Sequence, residues 1–137
     1  MAPLANCKRG TAPVPFVVVP EKVNLERAFA GIAEPWSPRL AAVANGTAVK
    51  LVRLEGEFVW HRHEREDEIF LVRSGRLTLR FRDGEVVLEP GELLLVPRGV
   101  EHCPVAEPGT EVLLIEPAET VNTGDAGGPR TREAAPL

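Results

Sequence analysis

The segment 48–116 is a succession of short apolar runs separated by glycine, proline and Asp-Gly turn residues. Runs of this length predict β-strands, and Asp83-Gly84 is the strongest hairpin signal among the turns. No helical pattern alternates with them, so the segment favours an all-β barrel or sandwich over a parallel sheet. The predicted strands are 48–54, 57–63, 68–73, 76–82, 85–88, 93–96, 100–105 and 111–116.

The segments that flank this barrel differ from it in composition. Residues 1–47 are predicted to be an N-terminal arm that packs on the barrel, with one short strand at 16–19. The arm contains a short helix over 25–30, because Asn24 can cap its first turn and Gly31 can end it. Residues 117–137 are small and polar, which predicts an extended or partly disordered tail. A chain of 137 residues fits this single domain.

Charge and hydropathy exclude two classes of partner. The net charge is −4, whereas a nucleic-acid surface needs a basic patch. No stretch of the sequence approaches the roughly 20 apolar residues that a membrane helix requires. The N-terminus also lacks a charged start followed by an apolar stretch. We therefore expect a cytoplasmic protein with neither a nucleic-acid nor a membrane partner.

The three histidines of the chain and one acidic residue fall into a single arrangement. In a strand, His61 and His63 face the same way with Cα atoms about 6.6 Å apart, so their imidazoles can converge on one ion. Glu68 begins the next predicted strand, and antiparallel packing could bring His102 opposite. These donors suit a divalent transition metal, namely Zn, Ni, Mn, Fe, Co or Cu, rather than Ca or Mg. Asp67 is an adjacent alternative to Glu68.

Two sequence motifs place these residues in a known family. The first is Gly56-x4-His61-x-His63-x4-Glu68-x6-Gly75, and the second is Gly91-x5-Pro97-x-Gly99-x2-His102. Together they resemble the paired motifs of the cupins. The chain departs from the usual pattern in having four residues, rather than five, between the first glycine and first histidine. It also has Ala106 where the second motif usually ends in asparagine.

The cupin resemblance implies a fold and a set of properties. The fold is a double-stranded β-helix, or jelly-roll barrel, that binds one metal ion through His61, His63, Glu68 and His102. Open coordination positions are implied for water, substrate or dioxygen, and a homodimer is implied as the assembly. The flanking segments are similar to those of small cupins labelled mannose-6-phosphate isomerase-like. A fold does not fix a function, so that label says little about substrate.

Alternation along the predicted strands gives the expected lining of the pocket. This lining is apolar and the chain has no tyrosine, which favours a small, fairly apolar ligand held through the metal. No catalytic residue is assigned, and the arginines of strand 76–82 are expected to face outward. Phe58 and Trp60 need a cover, from the arm or from a second subunit. The predicted lining residues are Val59, Phe70, Val72, Leu77, Leu79, Phe81 and Val100.

Three classes of function remain open from the sequence. The complete ligand set favours a metal-dependent enzyme of oxygenase, isomerase or lyase type that acts on a small molecule. The scarcity of acid and base residues favours a non-catalytic binding or sensor module. A structural protein with a vestigial site fits least well, because the ligand set is complete.

Overall fold

The computed structural model describes residues 19–137, so most of the strand predicted at 16–19 lies outside the described residues. The regular secondary structure of these residues is almost entirely β-strand, which confirms the predicted all-β class. The helix occupies the predicted residues. The elements are α1 Leu25–Ala30, β1 Arg39–Ala44, β2 Thr47–Glu57, β3 Glu68–Ser74, β4 Leu77–Phe81, β5 Gly84–Leu88, β6 Leu93–Val96, β7 Cys103–Pro117 and β8 Ala135–Pro136.

Strand β7 holds the jelly roll together. Its first part pairs with β4 and with the end of β2, and its second part pairs with β3 and with the rest of β2. The register shifts between Leu54 and Gly56 on β2, opposite the bend at Pro108-Gly109 where β7 changes partners. The strands predicted separately at 100–105 and 111–116 are therefore two halves of one bent strand. The hairpin expected at Asp83-Gly84 joins β4 to β5.

Strand β1 lies within the segment predicted to be an arm. It pairs antiparallel with β2 through a tight turn at Asn45-Gly46, and both turn residues have positive φ angles, of 52° and 79°. Such a turn matches the twist of a β-hairpin, and asparagine followed by glycine is its preferred sequence. The sheet therefore begins at Arg39, before the predicted boundary at residue 48.

The core lies on both faces of β2. One face carries Val52 and Leu54 into the main cluster inside the barrel, together with residues of β3, β4 and β7. The other face carries Leu51 against Phe29 of α1. Helix α1 begins after Asn24, whose side-chain oxygen accepts a hydrogen bond of 2.9 Å from the backbone of Arg27. This cap explains why so short a helix has a defined start.

The turn before β4 requires a glycine. Gly75 has a φ angle of 89°, and a Cβ atom there would lie 2.7 Å from the Cα of Thr110 in β7. A side chain at position 75 would therefore push β3 and β7 apart at the point where the barrel closes.

The C-terminal segment is a series of turns that ends in β8, which pairs parallel with β1. The sequence predicts an extended arm on the barrel or on a partner, or a partly disordered tail, and in the structure this segment lies against the barrel. None of the helices in residues 19–137 is long and apolar enough to cross a membrane.

Candidate metal site

His61 and His102 face each other on neighbouring segments of the barrel. The backbone N–H of His61 donates to the carbonyl of His102 at 3.0 Å, and the N–H of His102 donates back at 2.9 Å. This reciprocal pair is an isolated antiparallel bridge, so the predicted strand 57–63 is reduced to one bridging residue. The two rings lie 4.4 Å apart between centroids. The pairing places His102 opposite His61, as the sequence led us to expect.

His63 and Glu68 complete the cluster. Glu68 is the first residue of β3, and its Oε1 lies 3.3 Å from Nε2 of His63 and 3.4 Å from Nε2 of His102. All four side chains are buried, and their ligand atoms lie within 4.8 Å of one another. The structure therefore brings together all four residues that the sequence predicted as ligands.

Two carbonyl groups fix the orientation of two of the rings. The Nδ1 of His61 lies 2.9 Å from the carbonyl oxygen of Val59, and the Nδ1 of His102 lies 3.0 Å from that of Val100. Because a carbonyl oxygen only accepts, each Nδ1 carries the proton and each Nε2 keeps its lone pair. Such outer hydrogen bonds are a recurrent feature of metal-binding histidines.

Three atoms of the cluster show that its residues fit a cation. Nε2 of His63, Oε1 of Glu68 and Nε2 of His102 are buried without a hydrogen-bond partner. Burying an unpaired polar atom costs about 1–3 kcal/mol, so three such atoms converging on one point need a shared partner. Three imidazole nitrogens and one carboxylate are the donor set that a divalent transition metal prefers. The four residues could therefore hold one metal ion.

The surroundings of His61 keep its ring neutral. Burial and, to a smaller extent, the neighbouring His102 lower the pKa of His61 to about 4. The hydrogen bond to Val59 opposes this shift. A neutral imidazole has the free lone pair that a metal ion needs. In the metal-free protein, His61 is therefore ready to bind at neutral pH without first releasing a proton.

This pKa predicts a loss of stability in acid for the metal-free protein. The pKa of His61 is lower in the folded chain, about 4, than its ordinary 6.5, so the unfolded chain takes up the proton first as the pH falls. The contribution of His61 is complete above pH 6.5 and is lost between pH 6.5 and 4, which amounts to about 2 kcal/mol between pH 7 and pH 4.5. Urea unfolding of wild type and His61→Gln at both pH values measures it. An unfolding difference between the two proteins that stays constant with pH contradicts the prediction.

A buried ion pair that the sequence analysis missed lies behind Glu68. Nζ of Lys50 in β2 donates to Oε2 of Glu116 in β7 at 2.8 Å and to the carbonyl oxygen of Thr120 at 3.3 Å. Lys50 is 4% exposed and Glu116 is 2% exposed. The Glu116 side chain also lies close enough to Glu68 for each carboxyl group to shift the pKa of the other. A chain of polar contacts therefore runs from Lys50 through Glu116 to the cluster.

The two carboxyl groups of this chain of contacts differ in charge. Burial and the contact with the Glu68 carboxylate raise the pKa of Glu116 to about 9, although Lys50 opposes the shift. Burial alone would also raise the pKa of Glu68, but the close approach of Glu116, His102 and His63 holds it well below its usual range. Glu116 thus carries the shared proton, and the Lys50 ammonium balances the single negative charge on Glu68.

The alternative ligand Asp67 lies outside the cluster. Its carboxylate accepts from the backbone N–H of Arg98 at 2.9 Å and from the guanidinium at 3.2 Å. This pairing lowers the pKa of Asp67. Asp67 joins the loop before Glu68 to the turn before His102 and is not part of the cluster.

The predicted pocket lining is divided in the structure. Val100 is 36% exposed, Val59 is half-buried, and both contribute carbonyl groups to the histidines. Five of the predicted residues pack in the barrel interior, namely Phe70, Val72, Leu77, Leu79 and Phe81, and Phe70 also meets the ring of His102 edge-on with centroids 5.9 Å apart. Their side chains pack against one another and belong to the core. The cavity beside His61 is about 30 Å³ and is bordered by Trp36, Pro38, Val52, Leu54, Phe58, Pro104, Leu114 and Asn122.

The aromatic side chains that needed a cover find it within the chain. Phe58 stacks on Trp36 with ring centroids 4.5 Å apart, and Arg130 lies over Phe58 at 5.5 Å. The guanidinium of Arg82 lies 3.9 Å over the ring of Trp60. The cover was expected from the arm or from a second subunit, and Trp36 belongs to the arm, so the homodimer stays a prediction that depends on the family resemblance.

The fold and the site together define a class. The chain is a jelly-roll β-barrel protein with a buried cluster of three imidazoles and one carboxylate that could hold one metal ion. The chain belongs to the cupin family: residues 50–116 match the cupin domain. Its site residues fall within or next to the strands of that matched segment.

Three similar proteins agree with this assignment. A cupin-2 domain-containing protein from Shewanella frigidimarina is 43% identical, with a TM-score of 0.68, and the match covers 69% of this chain and 93% of that chain. Protein NMB1881 from Neisseria meningitidis is 34% identical, with a TM-score of 0.65, over 71% of this chain and 99% of that one. The uncharacterized protein YdbB of Bacillus subtilis is 39% identical over 80 residues, which are 56% of this chain and 71% of that protein.

Proposed function

We propose that this cupin is a metal-dependent enzyme that acts on a small, fairly apolar, oxygen-containing molecule. The observation that carries the proposal is the convergence of buried, unpartnered atoms of His63, Glu68 and His102 on one point. When bound there, a divalent transition metal supplies Lewis acidity, and a redox-active one also supplies dioxygen chemistry. Oxygenase, isomerase and lyase reactions all fit this chemistry.

The residues of the chain give the site its selectivity. The cavity beside His61 is bordered mainly by Val52, Leu54 and Leu114 and by the stacked pair Trp36 and Phe58. No lysine or arginine borders this cavity, whereas a sugar phosphate needs basic groups. An apolar ligand with one oxygen donor fits the lining better than a phosphosugar, so literal mannose-6-phosphate isomerase activity is not what we propose.

Other residues of the chain hold the metal ligands in place within this buried site. The carbonyl groups of Val59 and Val100 orient His61 and His102, and the proton held on Glu116 fixes one side of the Glu68 carboxylate. An electrostatic interaction with a substrate oxygen is stronger in a dry site than in water.

A non-catalytic binding or sensor module is the second candidate. The cavity of about 30 Å³ holds only about one or two water molecules. A substrate therefore does not fit beside His61 in the described conformation, which suits a protein that retains a metal ion without turning over a substrate.

Metal analysis of protein purified without added metal tests the proposal. We expect about one divalent transition-metal ion per chain, since four ligand side chains meet at one point. Protein loaded separately with Fe, Mn, Ni or Zn is then assayed for oxygen uptake and for turnover of diketones, phenols and hydroxy ketones. A protein that binds no divalent metal contradicts both candidates. Metal binding without turnover for any of these metals supports the binding module.

A further inference from the structure

The segment after β7 passes directly over the metal site. Residues 120–125, which we call the C-terminal cover, lie against the backbone that joins His61 to His63. At Gly124, which has a φ angle of 53°, a Cβ atom would lie 2.9 Å from the carbonyl carbon of Arg62 and 3.1 Å from Cδ2 of His61. Only glycine allows the cover to approach this closely. The cover therefore touches the ring of a ligand.

Hydrogen bonds fix the cover at both of its ends. The backbone N–H of Arg62 donates to Oδ1 of Asp125 at 2.8 Å, and the N–H of Asp125 donates to the carbonyl of Arg62 at 3.0 Å. At the other end, the carbonyl of Thr120 accepts from the buried ammonium of Lys50. The cover is thus bonded to Arg62, which lies between the ligands His61 and His63, and to Lys50.

Residues 130–132 brace the cover from outside. The side chain of Asn122 donates to the carbonyl of Arg130 at 3.0 Å and accepts from the N–H of Arg132 at 2.9 Å. The hydroxyl groups of Thr123 and Thr131 are 2.6 Å apart, and Thr123 is completely buried. These bonds give the cover one defined shape, although it contains few large apolar side chains.

The cover borders both cavities that reach a ligand. Asn122 borders the cavity of about 30 Å³ beside His61. Val121, Gly124 and Asp125 border a cavity of about 330 Å³ that reaches His63. All of these cover residues follow residue 116, where the match to the cupin domain ends.

We propose that the C-terminal cover determines which molecules reach the metal site. In this arrangement, a molecule larger than one or two waters contacts His61 only after the cover moves away from Arg62. The inference deepens the proposed function, since it concerns access to the same site, but the cover can be tested in protein without metal.

The experiment compares two glycines of the C-terminal segment. Gly124 and Gly127 have similar φ angles, of 53° and 58°, but a Cβ atom at Gly127 meets nothing within 4 Å. Asparagine tolerates this left-handed backbone, so Gly124→Asn adds a collision with Arg62, whereas Gly127→Asn adds none. The probe is diethyl pyrocarbonate, which modifies accessible neutral imidazoles. Mass spectrometry measures the modification rate of His61 in metal-free protein.

We expect Gly124→Asn to be modified at least about tenfold faster than wild type, because the rate follows the population of the open form. Gly127→Asn should match wild type within about twofold, since it leaves the closed form unchanged. Asp125→Ala removes the acceptor of the Arg62 N–H and should also raise the modification rate. This variant replaces Gly124→Asn in the test if Gly124→Asn does not fold. Equal rates in wild type and in the folded variants overturn the inference.

Metal transfer separates this result from the proposed function. In zinc-loaded protein, an opened cover accelerates both capture and release of zinc, so the dissociation constant changes less than either rate. Faster release with unchanged capture would show that Gly124 only positions His61, and it would overturn the access role. A wild-type protein that binds no metal contradicts the proposed function, whereas the modification rates still decide whether the cover controls access.

Discussion

Replacing His102 with alanine is expected to reduce the metal content from about one ion per chain to near zero after dialysis. Loss of a residue that is hydrogen-bonded to a ligand typically weakens metal binding by about 10–100-fold. Loss of a ligand itself removes a direct bond to the metal, so we expect a larger effect. His102 is completely buried at the centre of the cluster, and no other histidine of the chain can replace it. Inductively coupled plasma mass spectrometry and competition with a chelator measure the change.

The control for this prediction is the neighbouring acidic residue. Asp67→Ala removes a carboxylate one position from Glu68, but that carboxylate binds Arg98 outside the cluster, so metal content should stay near that of wild type. His102→Gln preserves more of the side-chain volume and serves if the alanine variant does not fold. Retention of one tightly bound metal in a folded His102 variant would exclude the four-residue site.

Replacing Lys50 with methionine is expected to destabilise the metal-free protein by about 3 kcal/mol. Removal of one partner from a buried ion pair leaves the other without compensation, which typically costs about 3–5 kcal/mol. Here the loss leaves Oε2 of Glu116 without a donor and the charge on Glu68 without a balancing cation. Urea unfolding at pH 7 in the presence of a chelator measures the change.

Two further variants test the cause of this loss. In Lys50→Met with Glu68→Gln, the buried cation and the negative charge that it balances are both removed, so the cost should be smaller than for Lys50→Met alone. Arg76→Met removes an ion pair to Glu89 in which both side chains are about half exposed, and the expected cost is below about 1 kcal/mol. If Lys50→Met costs no more than Arg76→Met, the buried pair contributes little to stability.

The ligands could be read from the sequence because local rules place them. Two histidines at i and i+2 share a face, and Glu68 opens a strand whose start is marked by the polar loop before it. The start of α1 was equally readable, because the Asn24 cap is a local hydrogen bond. These local predictions agree with the structure in the placement of the side chains, although His61 forms an isolated bridge where a strand over 57–63 was predicted.

The features that the sequence analysis missed depend on distant partners or on weak patterns. Strand β1 has small residues without clear alternation, although the Asn45-Gly46 pair was a signal for its hairpin. Lys50 lies on the same face of β2 as the inward-facing Val52 and Leu54, and this alternation was a signal that its side chain is buried. Its partner Glu116 lies 66 residues away, and no rule for a single sequence identifies that pairing.

The polar C-terminal segment was the least predictable part of the chain. Its composition cannot form a core, and this led to the expectation of an extended tail. Hydrogen bonds hold it instead, through Asn122, Thr123 and Asp125. Such bonds follow from tertiary placement, which hydrophobic periodicity does not report.

The arrangement of β7 also sets the order in which the protein can be completed. This strand pairs with β2, β3 and β4, all of which precede it in the chain. During synthesis, the earlier strands leave the ribosome with their shared neighbour missing, so the barrel cannot close until residue 117 has emerged. Pairings of such long sequence separation place the protein among slow folders, on a timescale of about milliseconds to seconds. Until β7 pairs with them, the earlier strands have unpaired edges, and these edges can lead to aggregation.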